Sequence, residues 1–225
     1  IVTVSRCSAA DIATDFGVLP GALFVVPNGV DTELFKPLPS VTRKPGQIIA
    51  TASADAPLKG LPVLLHAFKR LVEAEPERQL VLIARPKAGG DTEAMIERLG
   101  LFDHIRFVGD ASHEEINRLY AESAVAVVPS LYEGFGLPAV EAMAAGIPLV
   151  SSDGGALAEV VAEGGLVFPA GDSDALAETL GRVLADPTLA AALGDKGRQR
   201  VERHFCWSVC AQQMVAQYRA CIDAC

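Results

Sequence analysis

The stretch Val125-Ala126-Val127-Val128-Pro129-Ser130-Leu131-Tyr132-Glu133-Gly134-Phe135-Gly136-Leu137-Pro138-Ala139-Val140-Glu141, running on through Ala145 to Pro148-Leu149-Val150-Ser151, holds one complete architectural unit. Val125–Val128 is apolar on both faces, which suits a strand buried inside a parallel sheet. Ser130–Pro138 is a glycine-punctuated loop. Pro138 fits the first turn of a helix, where its missing N–H is not needed and its fixed φ is already helical. The run from Ala139 to Ala145 continues as a good helix former. Pro148–Ser151 is the next strand. Strand, loop, helix and strand in that order make a parallel crossover.

The same rhythm extends in both directions. Gln47–Thr51, Leu80–Ala84, Ile105–Val108 and Leu166–Phe168 are further short apolar runs, each separated from the next by helix-length segments. Six such strands predict an α/β fold with a doubly wound, parallel, Rossmann-like sheet. The helices carry their own punctuation. Ser112-His113-Glu114-Glu115 is a capping box opening a helix over Glu114–Glu122, and Asp172 or Ser173 starts another. Leu61–Ala74 shows apolar residues at helical period, and Pro187–Ala220 reads as two closing helices.

The first 40 residues stand outside this repeat. Ile1–Val4 and Phe24–Val26 read as strands flanking a short helix over Ala9–Phe16, and a proline-dense stretch follows with Pro27, Pro37, Pro39 and Pro45. The expected organisation is a strand–helix–strand tail of a preceding domain over residues 1–26 and a linker over 27–46. The Rossmann-like domain then spans 47–205, and a last helix over 206–225 crosses back to the preceding domain. The chain opens at Ile1, inside a β-like run, and reads as a piece of a longer protein.

Composition narrows the function. The 225 residues are 50% hydrophobic, with 20 Gly and 14 Pro, enough to bury one substantial core or two small ones. A formal charge of −9 argues against a nucleic-acid binder, which needs a basic face. No apolar run approaches the roughly 20 residues of a membrane helix. The expected location is cytoplasmic, with room for peripheral attachment to the inner membrane face. Five cysteines, four of them at 206, 210, 221 and 225, include no CxxC pair. They read as small packing residues in a reducing compartment rather than as a metal or disulfide framework. No other cluster has metal-ligand spacing.

Within the opening stretch, Glu133 and Glu141 have seven residues between them, Glu133 on the loop and Glu141 about one turn inside the helix. The amides of Phe135 to Ala139 lie at the helix N-terminus, where unpaired donors and the macrodipole favour an anion. Carboxylates accept sugar hydroxyls while amides cradle a phosphate, so the pattern suits a ligand carrying both. Glutamate pairs of this kind also occur on solvated helix faces, and context must decide. Two further loops fall at the same carboxyl rim of the sheet: Ser53–Gly60, ending in Lys59-Gly60, and Ser152-Asp153-Gly154-Gly155 before a helix with Glu159.

Asn28-Gly29-Val30-Asp31 with Phe35 and Pro37, then Lys59-Gly60, then Glu133-Gly134-Phe135-Gly136 with Glu141, then Gly154-Gly155 and Glu159 occur in that order. On this ordered set, essentially the whole chain resembles the C-terminal half of the retaining nucleotide-sugar glycosyltransferases of family four, which have the GT-B architecture. The resemblance implies a nucleotide-diphosphate sugar as donor, such as a UDP or GDP sugar. No metal or other cofactor is implied. The acceptor, a glycan or lipid hydroxyl, would be held by the absent N-terminal domain of the same chain, so this piece alone would transfer nothing. It further implies that Glu141 holds the ribose hydroxyls and Glu133 the hydroxyls of the transferred sugar. Gly134, Ser53 and the amides of Phe135, Gly136 and Leu137 would line the donor site. Lys59 would neutralise the departing diphosphate, and the segment around Arg106–Gly109 would meet the base through its backbone.

One position departs from that pattern. Family members carry Gly-Arg five or six residues before the lysine, where this chain has Ser53-Ala54 followed by Asp55. Arg85, after the next strand, is the candidate replacement cation. His66, His104, His113 and His204 read as structural or solvated. A phosphorylase would need a pyridoxal-binding lysine context, and a dehydrogenase a G-x-G-x-x-G after the first strand; neither is present. A GT-B-like partner domain that has lost donor chemistry is the remaining alternative, with the Ser53-Ala54 departure as its support.

Overall fold

A computed structural model describes residues 1–51 and 56–223. Ser53, Ala54 and Asp55, and the terminal Cys225, lie outside the described residues. The first elements are β1 (Val2–Thr3), α1 (Arg6–Phe16) and β2 (Phe24–Val25), with β1 and β2 paired in parallel. The sheet proper begins at β3 (Lys44–Thr51) and continues with β4 (Gln79–Ile83), β5 (Ile105–Val108), β6 (Ser123–Val128), β7 (Leu149–Ser152) and β8 (Leu166–Phe168). These are the six expected strands, two with the expected bounds and four with ends moved by at most three residues. All pair in parallel in the order β5-β4-β3-β6-β7-β8. The chain steps outward from β3 to β5 and then returns to lay β6 beside β3. That reversal is the topological switch point, where an open α/β sheet forms its crevice.

Helices cover both faces, and the strands alternate to meet them. Ile48, Ala50, Leu80, Leu82, Val125, Val127 and Val150 pack with α2 (Leu61–Ala74), α3 (Asp91–Leu99) and α7 (Ser173–Ala185). Ile49, Val81, Ala126, Val128 and Leu149 point the other way. They pack with residues of α4 (His113–Glu122), α5 (Leu137–Ala144), α6 (Leu157–Val161) and α8 (Pro187–His204). Period-two side-chain direction with apolar residues on both sides is what a doubly covered strand requires. Local signals set the helix starts. The Ser112–Glu115 capping box forms as expected, and Asp172 and Asp186 cap α7 and α8.

Residues 27–46, expected as a linker, touch the core at two points and are otherwise largely exposed. Val30 and Phe35 are buried in the core, Val30 N–H donates to Phe205 O at 2.7 Å, and Lys44–Gly46 already belong to β3. The closing helix α9 (Trp207–Asp223) runs beside the β1–α1–β2 unit. Trp207, Cys210, Ala211 and Met214 share a cavity lining with Val2, Val4 and Val26. Further along the helix the same stripe exposes Val215, Tyr218 and Ile222. The expectation of cysteines as packing residues holds for Cys210, which is buried, and not for Cys221, which faces solvent on α9. Among the described residues no helix is long and apolar enough to cross a membrane.

Candidate functional site

The switch point places the loops after β3 and β6 side by side, and three close approaches bind the rim together. Gly60 sits at φ +65°, and a Cβ there would stand 1.9 Å from the Pro129 carbonyl oxygen. Only glycine fits both the left-handed backbone and the contact. Leu131 N–H donates to Leu58 O at 2.8 Å, so the Lys59 turn and the Glu133 loop share a backbone hydrogen bond. The third loop arrives through Gly154, whose added Cβ would meet Leu131 O at 2.5 Å, and through Ala156 N–H, which donates to Glu133 O at 2.8 Å. The Ser152 hydroxyl also donates to Ser130 O. Three loops distant in sequence thus form one packed rim.

The charged groups meet on that rim. Lys59 Nζ lies 2.7 Å from Glu133 Oε1, and the Ser130 hydroxyl donates to the same oxygen at 2.8 Å. The Glu133 side chain keeps 13% of its surface exposed and Lys59 34%. Both therefore remain within reach of a ligand. Gly136, at φ +98°, is the N-cap of α5, and Pro138 falls in the first turn. One expectation is corrected here. The amides of Phe135 to Ala139 do not all face a ligand, because Pro138 has none and Ala139 N–H turns back to Gly136 O at 3.0 Å. The donors at this helix start are those of Phe135, Gly136 and Leu137.

Glu141 lies one turn into α5 and is mostly withdrawn from water. Burial pushes its carboxyl up to about 7, against the opposing pull of His113. Tyr120 is fully buried beside it, with its hydroxyl 3.2 Å from Thr51 Oγ1 and 3.5 Å from Pro138 O. Desolvation, aided by Glu141, raises the Tyr120 phenol well above its ordinary range. A carboxylate costly to hold in isolation gains from hydroxyl donors that solvent cannot supply there.

Arg85, the candidate replacement cation, stands at the β4–β5 tip. It pairs with Asp110 and lies over Gly109, where an added Cβ would meet Arg85 Nε at 2.9 Å. That is the rim segment expected to meet a base, and Arg85 is not part of the Lys59–Glu133 pair. Arg106 lies exposed on β5. Two histidines make structural contacts, His104 Nδ1 lying 3.2 Å from Arg78 O and His113 packing on Phe35 with ring centroids 5.8 Å apart, while His66 and His204 are exposed. Among the described residues no group of three or more His, Cys, Asp or Glu could hold a metal ion.

Sequence reasoning missed a second set of contacts. The Ser5 and Ser8 hydroxyls reach Gly134 O at 2.7 and 3.1 Å, and Glu159 accepts from Arg6 Nε at 2.8 Å and Cys7 N–H at 3.1 Å. Tyr132 also bonds to Asp11. The helix was expected from Ala9, whereas Ser5 caps it and Arg6 begins it. Ser5 before a helical run was the readable signal.

Residues 35–200 match the family described as Glycosyl transferases group 1. The MMP alpha-(1->4)-mannosyltransferase of Mycolicibacterium hassiacum is 50% identical over 227 residues, covering 99% of this chain and 54% of that protein. Sucrose-phosphate synthase from Thermosynechococcus elongatus superposes with a TM-score of 0.83 at 31% identity, over 100% of this chain and 58% of that one. Anabaena HepE, solved in complex with UDP and glucose, has the same fold, with a TM-score of 0.84 at 23% identity over 97% of this chain and 62% of that one. The chain spans about half the length of the curated relatives it matches.

Proposed function

This chain belongs to the glycosyl transferases group 1 family, and on that premise we propose that it is the donor-binding part of a retaining glycosyltransferase. The whole enzyme would move a hexose from a nucleotide-diphosphate sugar to an acceptor hydroxyl without a bound metal. The observation that carries the reading is the rim itself. A lysine and a glutamate 2.7 Å apart stand beside a helix start with its amides ahead of it, and a partly buried carboxyl lies one turn further in. The mannosyltransferase name of one relative and the UDP and glucose found with HepE support the ligand class.

Each group has a task in that chemistry. Breaking a sugar–phosphate bond builds positive charge on the sugar ring and negative charge on the leaving diphosphate. Lys59, exchanging Glu133 for the diphosphate, stabilises the leaving group. At ~4 Å its attraction is on the order of 4 kcal/mol at an effective dielectric of 20, before desolvation is subtracted. The amides of Phe135, Gly136 and Leu137, reinforced by the dipole of α5, share that load. Glu133, released from Lys59, accepts hydroxyls of the sugar. Glu141 accepts the ribose hydroxyls and so sets the distance from nucleoside to diphosphate. In the free state the Lys59–Glu133 pair keeps both charges satisfied. The acceptor belongs to the part of the enzyme this chain does not include, so the piece alone binds and does not transfer.

Calorimetry with UDP, GDP and ADP tests the reading. One of the three should bind at micromolar to low millimolar concentration, and Glu141→Ala should abolish that affinity. Glu133→Ala should weaken the sugar-bearing form more than the bare diphosphate. Failure of all three nucleotides to bind at millimolar concentration would overturn the proposal.

A further inference from the structure

We propose that Ser5 and Ser8, at the start of α1, are positioning residues that aim one amide of the donor loop. Gly134 C=O and Phe135 N–H belong to one peptide group. Because that group is planar and trans, its carbonyl and its N–H point in opposite directions. Two hydroxyls reach the Gly134 oxygen, at 2.7 Å from Ser5 and 3.1 Å from Ser8. They fix the carbonyl toward α1, and the Phe135 N–H therefore points away from α1. The inference rests on the donor-site reading, which gives that N–H a phosphate or sugar oxygen to meet.

The loop needs such a hold. Phe135 is flanked by Gly134 and Gly136, whose backbones allow the peptide between them to rotate at little steric cost. The Phe135 ring is anchored separately, edge-on to Phe205 with centroids 5.7 Å apart. A cavity opens behind it between Ser5, Glu159, Arg200 and Phe205, so packing alone does not set the peptide plane. The loop lies directly against α1 here, since an added Cβ at Gly134 would be in ordinary contact with Ser8 Oγ, 3.4 Å away.

What seats the serines is mostly polar, with Val4 and Cys7 only partly buried against the core. Helix α1 buries none of its residues. It is held by Glu159, which takes Arg6 Nε on one oxygen and Cys7 N–H on the other, and by Tyr132, which bonds to Asp11. Small polar contacts of this kind characterise interfaces that open and close. Seating of α1 and the aim of the Phe135 amide are thus one event. Lifting the β1–α1–β2 unit releases the Gly134 carbonyl and lets the loop lose its diphosphate-binding orientation.

The test compares the tightest-binding nucleoside diphosphate with its monophosphate, by calorimetry, for the wild-type chain, Ser8→Ala, and Ser5→Ala/Ser8→Ala. Diphosphate affinity should fall about fivefold in the single variant and about twentyfold in the double. Monophosphate affinity should stay within about twofold. Ser5 also caps α1, accepting Ser8 N–H at 3.0 Å. Ser5→Thr, which keeps a capping hydroxyl, should therefore bind like the wild type. Equal loss of both nucleotides, or loss of neither, would overturn the inference. An NMR measurement separates it from the donor-site reading: in the ligand-free chain the Phe135 amide resonance should shift, and its hydrogen exchange quicken, on Ser8→Ala. Wild-type chain that binds no diphosphate would sink the donor reading, and an unmoved Phe135 amide would sink the orientation itself.

Discussion

Helices α5 and α1 both start at the Gly134 loop, and they are held in place by different physics. In α5, Ala139, Val140, Ala142, Met143 and Ala144 are completely buried between the sheet and α8. In α1 no residue is buried, and Phe16 at its end is 78% exposed. Burying one large apolar side chain is worth about 1.5–3 kcal/mol, whereas a single hydrogen bond nets about 0.5–1.5 and an exposed ion pair about 0–1. One helix is therefore scaffold, and the other is a removable part that touches the same loop. A site made of both can be rigid where the diphosphate lands and adjustable where it is oriented.

The comparison breaks most easily at Met143. Its side chain is wedged against the backbones of Gly164 and Gly197, where Cβ atoms would approach its sulfur and Cγ to 2.7 and 3.1 Å. Glycine backbone pinned by two helical segments does not collapse into a hole. Met143→Ala should cost about 2–5 kcal/mol of stability, measured by urea denaturation. A loss under about 1 kcal/mol would mean that α5 is no better fixed than α1.

Glu141 sharpens the same contrast at intermediate cost, because it is the charge that the scaffold withdraws from water. Its folded value of about 7 lies above the unfolded value of 4.5, so the native state binds the extra proton between these limits. Stability is then fully present below about pH 4.5 and declines as pH rises through 7, by roughly 3 kcal/mol. Glu141→Gln should flatten that part of the profile. Diphosphate affinity should move the opposite way, rising from pH 6 to pH 8, because the ionised carboxylate is the stronger acceptor for ribose hydroxyls. Parallel decline of stability and affinity with pH would contradict the assigned role.

The scaffold was legible in the sequence, and the removable part was not. Ile48, Ile49 and Ala50 announce a strand covered on both sides, and the spacing of such runs carries the whole sheet. Lys59, Glu133 and the start of α5 could be placed on one rim because chain order in a parallel sheet fixes which ends share an edge. The contacts of α1 follow no local rule. Ser5 and Gly134 are 129 residues apart, and Arg6 and Glu159 are 153 apart. Neither pair shows a periodicity, since a polar contact across a surface needs one donor and one acceptor rather than a repeated pattern. The stretch expected as a linker, residues 27–46, makes contacts of the same unannounced kind. Its prolines marked irregular backbone correctly, but Val30 and Phe35 fill core space that only the assembled fold creates.

The smallest effect belongs to Arg6, whose pairing with Glu159 is the most conspicuous contact on α1. The Arg6 side chain is 81% exposed and that of Glu159 20%. Water and salt compete for the guanidinium almost unhindered, and ordering a long side chain costs entropy, so the pair contributes little. Removing Arg6 also leaves no charge stranded, because Glu159 keeps the Cys7 amide as a partner and stays partly open to solvent. Arg6→Ala should lower stability by at most about 0.5 kcal/mol in denaturant titration, and less still in 1 M salt. A loss of 2 kcal/mol or more would show that α1 is braced as firmly as the core. The division between fixed and removable helices would then disappear.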